Sequence, residues 1–412
     1  MRSIASQEIA TSQQAGRSVL VGLGHRETSR CRRALLLAFV VAVSFQEQAF
    51  AQTIHPRTEY RSRPPGTPVI YVDKTARSLT DEQRRVFGQL SNARLLARIG
   101  VQEGPAHEMF GEIRSVVLDD EGHIYVLDSA FEEIRVFSTD GRFIQSVGGP
   151  GQGPGEFVKP MALAVDRGRN LLYVGDLSRR LHLFSLTGKD DRRSIEYDRS
   201  IRLEMTPEDI CLTEDELVLH GMRLANPERA GDPANVGARI LHVANLSGEV
   251  RASFGSVYES PNSIVNYQVY EGWVACDSNR KLVFLAPKSL LAEIRAYELD
   301  GRSRWITAIR DFIPIHLEDL PNGSRMRLPA GGWNRIGALT PVTDDYLLVQ
   351  ESLVVSNQGQ RVVKIHSFLV SMANGAAVYV GETLPRILAA NKAHYATVRD
   401  EPYPELTVWE YR

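Results

Sequence analysis

Thiols are scarce in this sequence. Only Cys31, Cys211 and Cys276 occur, and no C-x-x-C pair is present. That removes thiol-rich zinc sites and dithiol redox motifs. No G-x-S-x-G elbow and no H-x-x-x-H pair occurs either, so neither a hydrolase elbow nor a helical zinc motif is signalled. An excess of either charge is also missing: 48 basic residues face 50 acidic ones, for a formal net charge of -2. No domain-wide basic field exists to hold a phosphate backbone, which argues against nucleic-acid binding. Long apolar runs are absent too. The segment Ala34 to Ser44 (ALLLAFVVAVS) is about 11 residues, against the roughly 20 a membrane-spanning helix needs.

That short run has another use. Arg30, Arg32 and Arg33 precede it, and Ala49-Phe50-Ala51 follows. A basic start, an apolar middle and an A-x-A end are the parts of a secretory signal peptide. The expectation is cleavage after Ala51 and a secreted or periplasmic mature chain without a membrane span. Residues 1–29 form a polar upstream extension, and 30–51 the signal peptide. Export into an oxidising compartment leaves open whether Cys211 and Cys276 pair. Both lie in apolar strand-like segments, which reads as buried unpaired thiols.

Residues 52–91 read as a linker with a short helix. Arg57 to Pro68 (RTEYRSRPPGTP) is polar and proline-rich, and Thr80-Asp81-Glu82-Gln83 is a capping box opening a helix over Asp81 to Leu90. From residue 92 to 412 the pattern is strands. Val116 to Gly141 (VVLDDEGHIYVLDSAFEEIRVFSTDG) and Leu163 to Gly188 (LAVDRGRNLLYVGDLSRRLHLFSLTG) are copies of one unit, with a period of about 47 residues. Tyr125 aligns with Tyr173, Asp128 with Asp176 and Phe137 with Phe184. Weaker copies put third strands near Ala244, Tyr297, Phe368 and Trp409. Six four-stranded units of this length predict an all-β, six-bladed β-propeller with antiparallel blades. The last unit ends just after its third strand. Arg94 to Gly100 (RLLARIG) resembles the outer strand Arg142 to Gly148 (RFIQSVG), so this N-terminal strand should close the last blade.

The linker Gly148 to Pro160 (GGPGQGPGEFVKP), followed by MALAVD, LLYVGD and RLHLFSLTG, resembles an NHL-type repeat. The mature chain is similar to secreted six-bladed propellers of that broad group. The resemblance implies a fold, not a function, because this scaffold carries lyases, lactone hydrolases and binding proteins.

Several groups invite a chemical role. The glycine-rich linker lacks the helix that a phosphate cradle requires, so it reads as a tight crossover. Asp128 and Asp176 recur at one blade position and read as caps of the following turn. His182, His242 and His366 occupy equivalent third-strand slots on different blades, too far apart to share one ion. No metal and no cofactor is expected. In a propeller the first strand of each blade lines the axis. Alignment through Pro160, Pro207 and Pro385 puts Arg114, Met161, Glu208 and Arg386 at one level, with Arg335 as the fifth-blade counterpart and Asp209 at the same mouth. Arginines there suit a small anionic or polar ligand. The insertions Met222 to Gly237 and Pro314 to Trp333 read as surface loops that supply specificity.

The expectation is therefore a monomeric, exported propeller that acts as a ligand-binding or protein-interaction scaffold. Its partner would be a small polar or anionic ligand or an envelope protein. The rival reading is a metal-dependent hydrolase or lyase on the same scaffold.

Overall fold

The second strand of the first unit, His123–Asp128 (HIYVLD), has no polar face. A strand of this kind is stable only when both faces are covered. In the computed structural model, which describes residues 63–189, 192–221, 239–255, 271–320, 323–357 and 360–412, all six of its residues are buried. Ile124 and Val126 point into one apolar wedge, Tyr125 and Leu127 into the next. This is period-2 alternation with a neighbouring sheet on each side.

The order of elements builds six such sheets. The N-terminal part holds β1 (Val69–Val72), α1 (Asp81–Ser91) and β2 (Arg94–Ile99). Blade 1 is β3 (Ile113–Leu118), β4 (His123–Asp128), β5 (Glu133–Ser138) and β6 (Phe143–Gly148). Blade 2 is β7 (Pro160–Asp166), β8 (Leu171–Asp176), β9 (Arg180–Thr187) and β10 (Ser194–Arg202). Blade 3 is β11 (Asp209–Leu212), β12 (Glu216–His220), β13 (Leu241–Asn245) and β14 (Val250–Phe254). Blade 4 is β15 (Gly272–Asp277), β16 (Leu282–Pro287), β17 (Glu293–Glu298) and β18 (Ser303–Ile309). A hairpin, β19 (His316–Leu320) and β20 (Gly323–Arg327), precedes blade 5, which is β21 (Trp333–Pro341), β22 (Tyr346–Asn357), β23 (Gln360–Ser371) and β24 (Ala377–Gly381). Blade 6 is β25 (Ile387–Ala390), β26 (His394–Arg399) and β27 (Glu405–Glu410), completed by β2.

The closing strand pairs antiparallel with β27, Arg94 opposite Glu410 and Ile99 opposite Leu406. Ala97 and Ile99 then enter the wedge between blades 6 and 1 with Val116, Phe137 and Val408. Gly100 leaves this strand at φ 132°, and a Cβ there would lie 2.6 Å from the Pro404 carbonyl oxygen, so only glycine fits. Helix α1, capped reciprocally by Thr80 and Gln83, buries Val86 and Leu90 in the wedge between blades 5 and 6. The crossover after β6 turns through positive φ at Gly148, Gly149 and Gly155 and buries Phe157, with a strand and no helix beyond it.

Three features depart from the sequence reading. The N-terminal segment contains β1, which pairs parallel with β18 and makes blade 4 five-stranded. The 314–333 insertion is a β-hairpin rather than an irregular loop. Cys211 and Cys276 are joined in a disulfide, not buried as free thiols. They sit on β11 and β15, the first strands of adjacent blades, and neighbouring first strands in a ring approach closely enough to bridge (Cα–Cα 5.6 Å). The signal-peptide segment and the 222–237 insertion lie outside the described residues.

Two stability changes follow. Ile99→Ala should lower the unfolding free energy by about 2–5 kcal/mol in urea titration, because it empties a buried site at the ring joint. Replacing both Cys211 and Cys276 by alanine should cost up to about 4 kcal/mol, the chain-entropy value for a loop of this separation. An unchanged midpoint in either variant would contradict the packing described.

Candidate functional site

The first strands β3, β7, β11, β15, β21 and β25 form a closed ring of neighbours around one axis. Each opens at the same end, so their opening residues share a mouth. Blades 1 and 2 each carry a β-bulge there, at Arg114 and Met161. A bulge adds a residue and re-aims its side chain. Arg114 reaches across the mouth: its Nε donates to the Met161 carbonyl and its Nη2 pairs with Glu208, both at 3.4 Å.

Asp209 stands next in β11. Its Oδ2 accepts the backbone N–H of Val274 at 2.9 Å, which stitches blade 3 to blade 4, and Oδ1 accepts from Ile210. Burial within the ring pushes its carboxyl up to about 6, against the pull of those N–H groups and of the Lys288 charge. Lys288 follows β16 and lies 4.6 Å above the Trp273 ring. Burial and then Arg114 draw its pKa down, while Glu271, Asp209 and Glu208 oppose the shift. Sequence reasoning missed Lys288 and Trp273, because blade 4 lacks the glycine-rich linker that aligned the first two blades. The surviving signal was position: Lys288 directly follows a second strand, one residue beyond the place that Asp128 and Asp176 hold in theirs.

Arg335 and Arg386 lie elsewhere on the mouth. They line a cavity of about 400 Å³ between blades 5 and 6, together with Val354, Val363, Val398 and Arg399. Nη2 of Arg386 pairs with Asp400 at 2.9 Å, and its Nε is buried without a hydrogen-bond partner among the described residues. Register also moves these residues by one step. Asp209 is opposite His220, Arg335 is opposite Ser352, and the Arg386 carbonyl accepts from Val398. These three share a level, one residue deeper than Arg114 and Glu208. The bulges in blades 5 and 6 fall further along, at Gly337 and Leu388, so alignment on the prolines misplaces Arg386. The five candidates thus form two groups. Arg114, Glu208 and Asp209 meet on the axial side with Lys288, and Arg335 and Arg386 meet at the outer cavity.

Other polar groups are occupied structurally. Asp128 accepts the backbone N–H groups of Gly111, Glu112 and Ala130, and Asp176 those of Val158, Ser178 and Arg180. His182 bonds Asp176, His242 bonds Ser253 and the Gly221 carbonyl, and His366 bonds Tyr379, each within its own blade. Among the described residues, Asp119, Glu121 and His123 come close enough together to hold a cation. Yet Asp119 already accepts from His123, Tyr125 and Arg193, with the Arg193 guanidinium at 2.8 Å where a cation would sit. Burial opposes the Asp119 charge, but His123 and then Tyr125 hold its pKa down at about 2.

The raised Asp209 pKa carries a sign. Between the ordinary carboxylate value and about 6 the folded chain holds a proton that the unfolded chain has released, so stability falls as pH rises through that window. Asp209→Asn keeps an acceptor for Val274 and removes the titration. Urea midpoints should show the variant gaining on the parent from pH 4 to pH 7. Parallel pH profiles would refute the shift.

Residues 106–272 match a protein family described as 6-bladed beta-propeller. No curated protein matches the chain. Among solved structures, a Bacteroides fragilis protein named as exported is similar at TM-score 0.48 and 10% identity, over 84% of this chain and 99% of its own. A member of the duf4221 family from Bacteroides vulgatus is similar at TM-score 0.49 and 8% identity, over 78% and 99%. The WD40 β-propeller domain of Doa1 is similar at TM-score 0.39 and 12% identity, over 78% and 98%. Among the described residues, no helix is long and apolar enough to cross a membrane. The chain is an all-β six-bladed propeller built of four-stranded blades, one of them extended by β1, and is similar over residues 106–272 to the family described in those words.

Proposed function

We propose that this chain is an exported, monomeric propeller that works as a ligand-binding or protein-interaction scaffold, holding a small anionic or polar ligand at the mouth of its channel. The observation that carries this reading is the placement of Arg335 and Arg386 on one 400 Å³ cavity at that mouth. This volume falls within the range of about 300–1,000 Å³ typical of small-molecule sites. Arg114, Glu208 and Asp209 supply further polar groups on the axial side. The signal-like segment 30–51 and the Cys211–Cys276 disulfide support export, since such bonds persist in oxidising compartments. The NHL-like linker is in keeping with a scaffold of this kind. An envelope protein docking on the rim loops is the other form the partner would take.

A metal-dependent hydrolase or lyase would need carboxylates and imidazoles converging on the axis. Here Glu208 pairs with Arg114, and Asp209 feels Lys288. Fixed cations at that spacing oppose a divalent ion.

The test is calorimetric titration of the purified mature chain with carboxylated metabolites and glycans. Arg114→Ala combined with Arg386→Ala should weaken binding about tenfold or more, the usual effect of losing charge-assisted donors. Binding that survives the double substitution unchanged would discard the reading.

A further inference from the structure

Blade 5 differs from the others at the start of its third strand. In blades 1 to 4 and 6 the outer neighbour pairs with the third strand from its first or second residue. In blade 5 the third strand β23 starts at Gln360, but β24 reaches it only at Ser367 and ends there with Gly381. The outer edge of β23 from Gln360 to His366 thus has no strand beside it among the described residues.

The backbone groups left open there can be named. Met372 N–H donates to the Asp345 carbonyl, on the β22 side, and Ser371 N–H donates to the Ala376 carbonyl, on the β24 side. Successive residues of an antiparallel strand turn their N–H and C=O groups to opposite edges. The β22–β23 register runs without a shift from Tyr346 opposite Ser371 to Asn357 opposite Gln360. Lys364 and His366 therefore bond β22, while Val363 and Ile365 present their N–H and C=O groups outward. Among the described residues no backbone group meets these two from that side.

The side chains along this edge divide by face. Val363 and Ile365 line the cavity between blades 5 and 6, with Val354 opposite Val363 and Val398 joining from β26. Val363 is 46% exposed, an apolar β-branched residue on an open edge. Lys364 is exposed on the other face.

We propose that this edge takes up an extended segment of a partner protein as an added strand, its alternate residues apolar over Val363 and Ile365 and acidic beside Lys364. The inference rests on the protein-interaction form of the scaffold reading and names the chemistry of the partner. An unpaired edge is a template for another extended chain, which brings donors and acceptors at the spacing that Val363 and Ile365 require. The cavity alongside has room for its apolar side chains. A second copy of this chain pairing about a two-fold axis would set each Lys364 opposite or diagonal to its counterpart, and like charges so placed are destabilising.

The experiment titrates the purified mature chain with the peptide acetyl-Glu-Val-Glu-Val-Glu-Val-amide by calorimetry and follows amide hydrogen exchange residue by residue. In the free chain Val363 and Ile365 should exchange at least about tenfold faster than Lys364 and His366. With peptide bound, the first pair should slow by about tenfold or more and the second pair should not change. Two analogues, N-methylated on the glutamate amides or on the valine amides, keep every side chain and charge. One should bind like the parent peptide and the other at least about tenfold more weakly, because one edge of the peptide faces β23. Val363→Asp and Lys364→Glu should each weaken binding by roughly tenfold, as should Ile365→Pro, which removes an outward N–H. Val363 and Lys364 are exposed, so their variants should fold even if Ile365→Pro does not. Equal binding of both analogues, or no slowing at Val363 and Ile365, would overturn the proposal. Protection of those two amides without peptide would also overturn it, with sedimentation assigning the cover to a second copy or to the chain itself. Failure of the peptide to bind would do so too. Carboxylated metabolites still bound at the mouth would then leave the scaffold reading standing, whereas binding of neither probe would defeat both.

Discussion

A strand with two apolar faces is the constraint from which this structure follows. In blades 1, 2 and 4 the second strand is buried throughout or nearly so, and its alternate residues serve different wedges. Leu172 and Val174 pack toward blade 1, Tyr173 toward blade 3. A blade at the end of an open stack would expose one such face to water, so the stack has to close. Closure requires the two ends of the chain to meet, and β2 accomplishes this by pairing with β27 and filling the last wedge with Ala97 and Ile99. Among the described residues, six apolar wedges, one between each pair of neighbouring blades, make up the core.

Polar stitches between blades then set the mouth. Asp209 accepts Val274 N–H across blades 3 and 4, and Gln350 holds both Pro385 and Ile387 across blades 5 and 6. At the opposite end, Arg169 bonds Asp166 in its own turn and the Glu214 carbonyl in the next blade, and Arg280 repeats this with Asp277 and the Asp344 carbonyl. Side chains in the equivalent third-strand slot hold the crossovers. Arg135 bonds the Met109 carbonyl, and His182 bonds Asp176 with its ring edge-on to Phe157. In that slot Arg135 and His242 each satisfy a buried backbone carbonyl and His182 a buried carboxylate, and all three are themselves buried.

What was legible in the sequence was whatever repeats. The third strands at Phe137, Phe184, Ala244, Tyr297, Phe368 and Trp409 all lie in third strands of the structure, because an apolar alternation flanked by turn residues marks them in each copy. The closing strand was legible because Arg94–Gly100 copies an outer strand. Features that occur once were not. Strand β1 pairs with blade 4 through backbone, which leaves no periodic trace in VIYV. The disulfide depends on two first strands being neighbours across a long separation, a tertiary fact with no local signature. The cavity lining was half legible. Arginines near strand starts were visible, but their level depended on bulges at Arg114, Met161, Gly337 and Leu388, which shift register by one residue.

Those bulges also account for the asymmetry of the mouth. In blades 1 and 2 the extra residue falls at the strand opening, which turns Arg114 inward to Met161 and Glu208. In blades 5 and 6 it falls deeper, so Arg335 and Arg386 precede it and stay with the hairpin face rather than the axis. Fixed charges that neutralise one another inside a low-dielectric ring hold the scaffold's geometry and resist exchange. Around the cavity between blades 5 and 6 the ion pairs stay within blade 6, Arg386 with Asp400 and Arg399 with Glu405. One repeated architecture, with its bulge at the strand opening in blades 1 and 2 and deeper in blades 5 and 6, thereby separates the axial charge cluster from the cavity between blades 5 and 6.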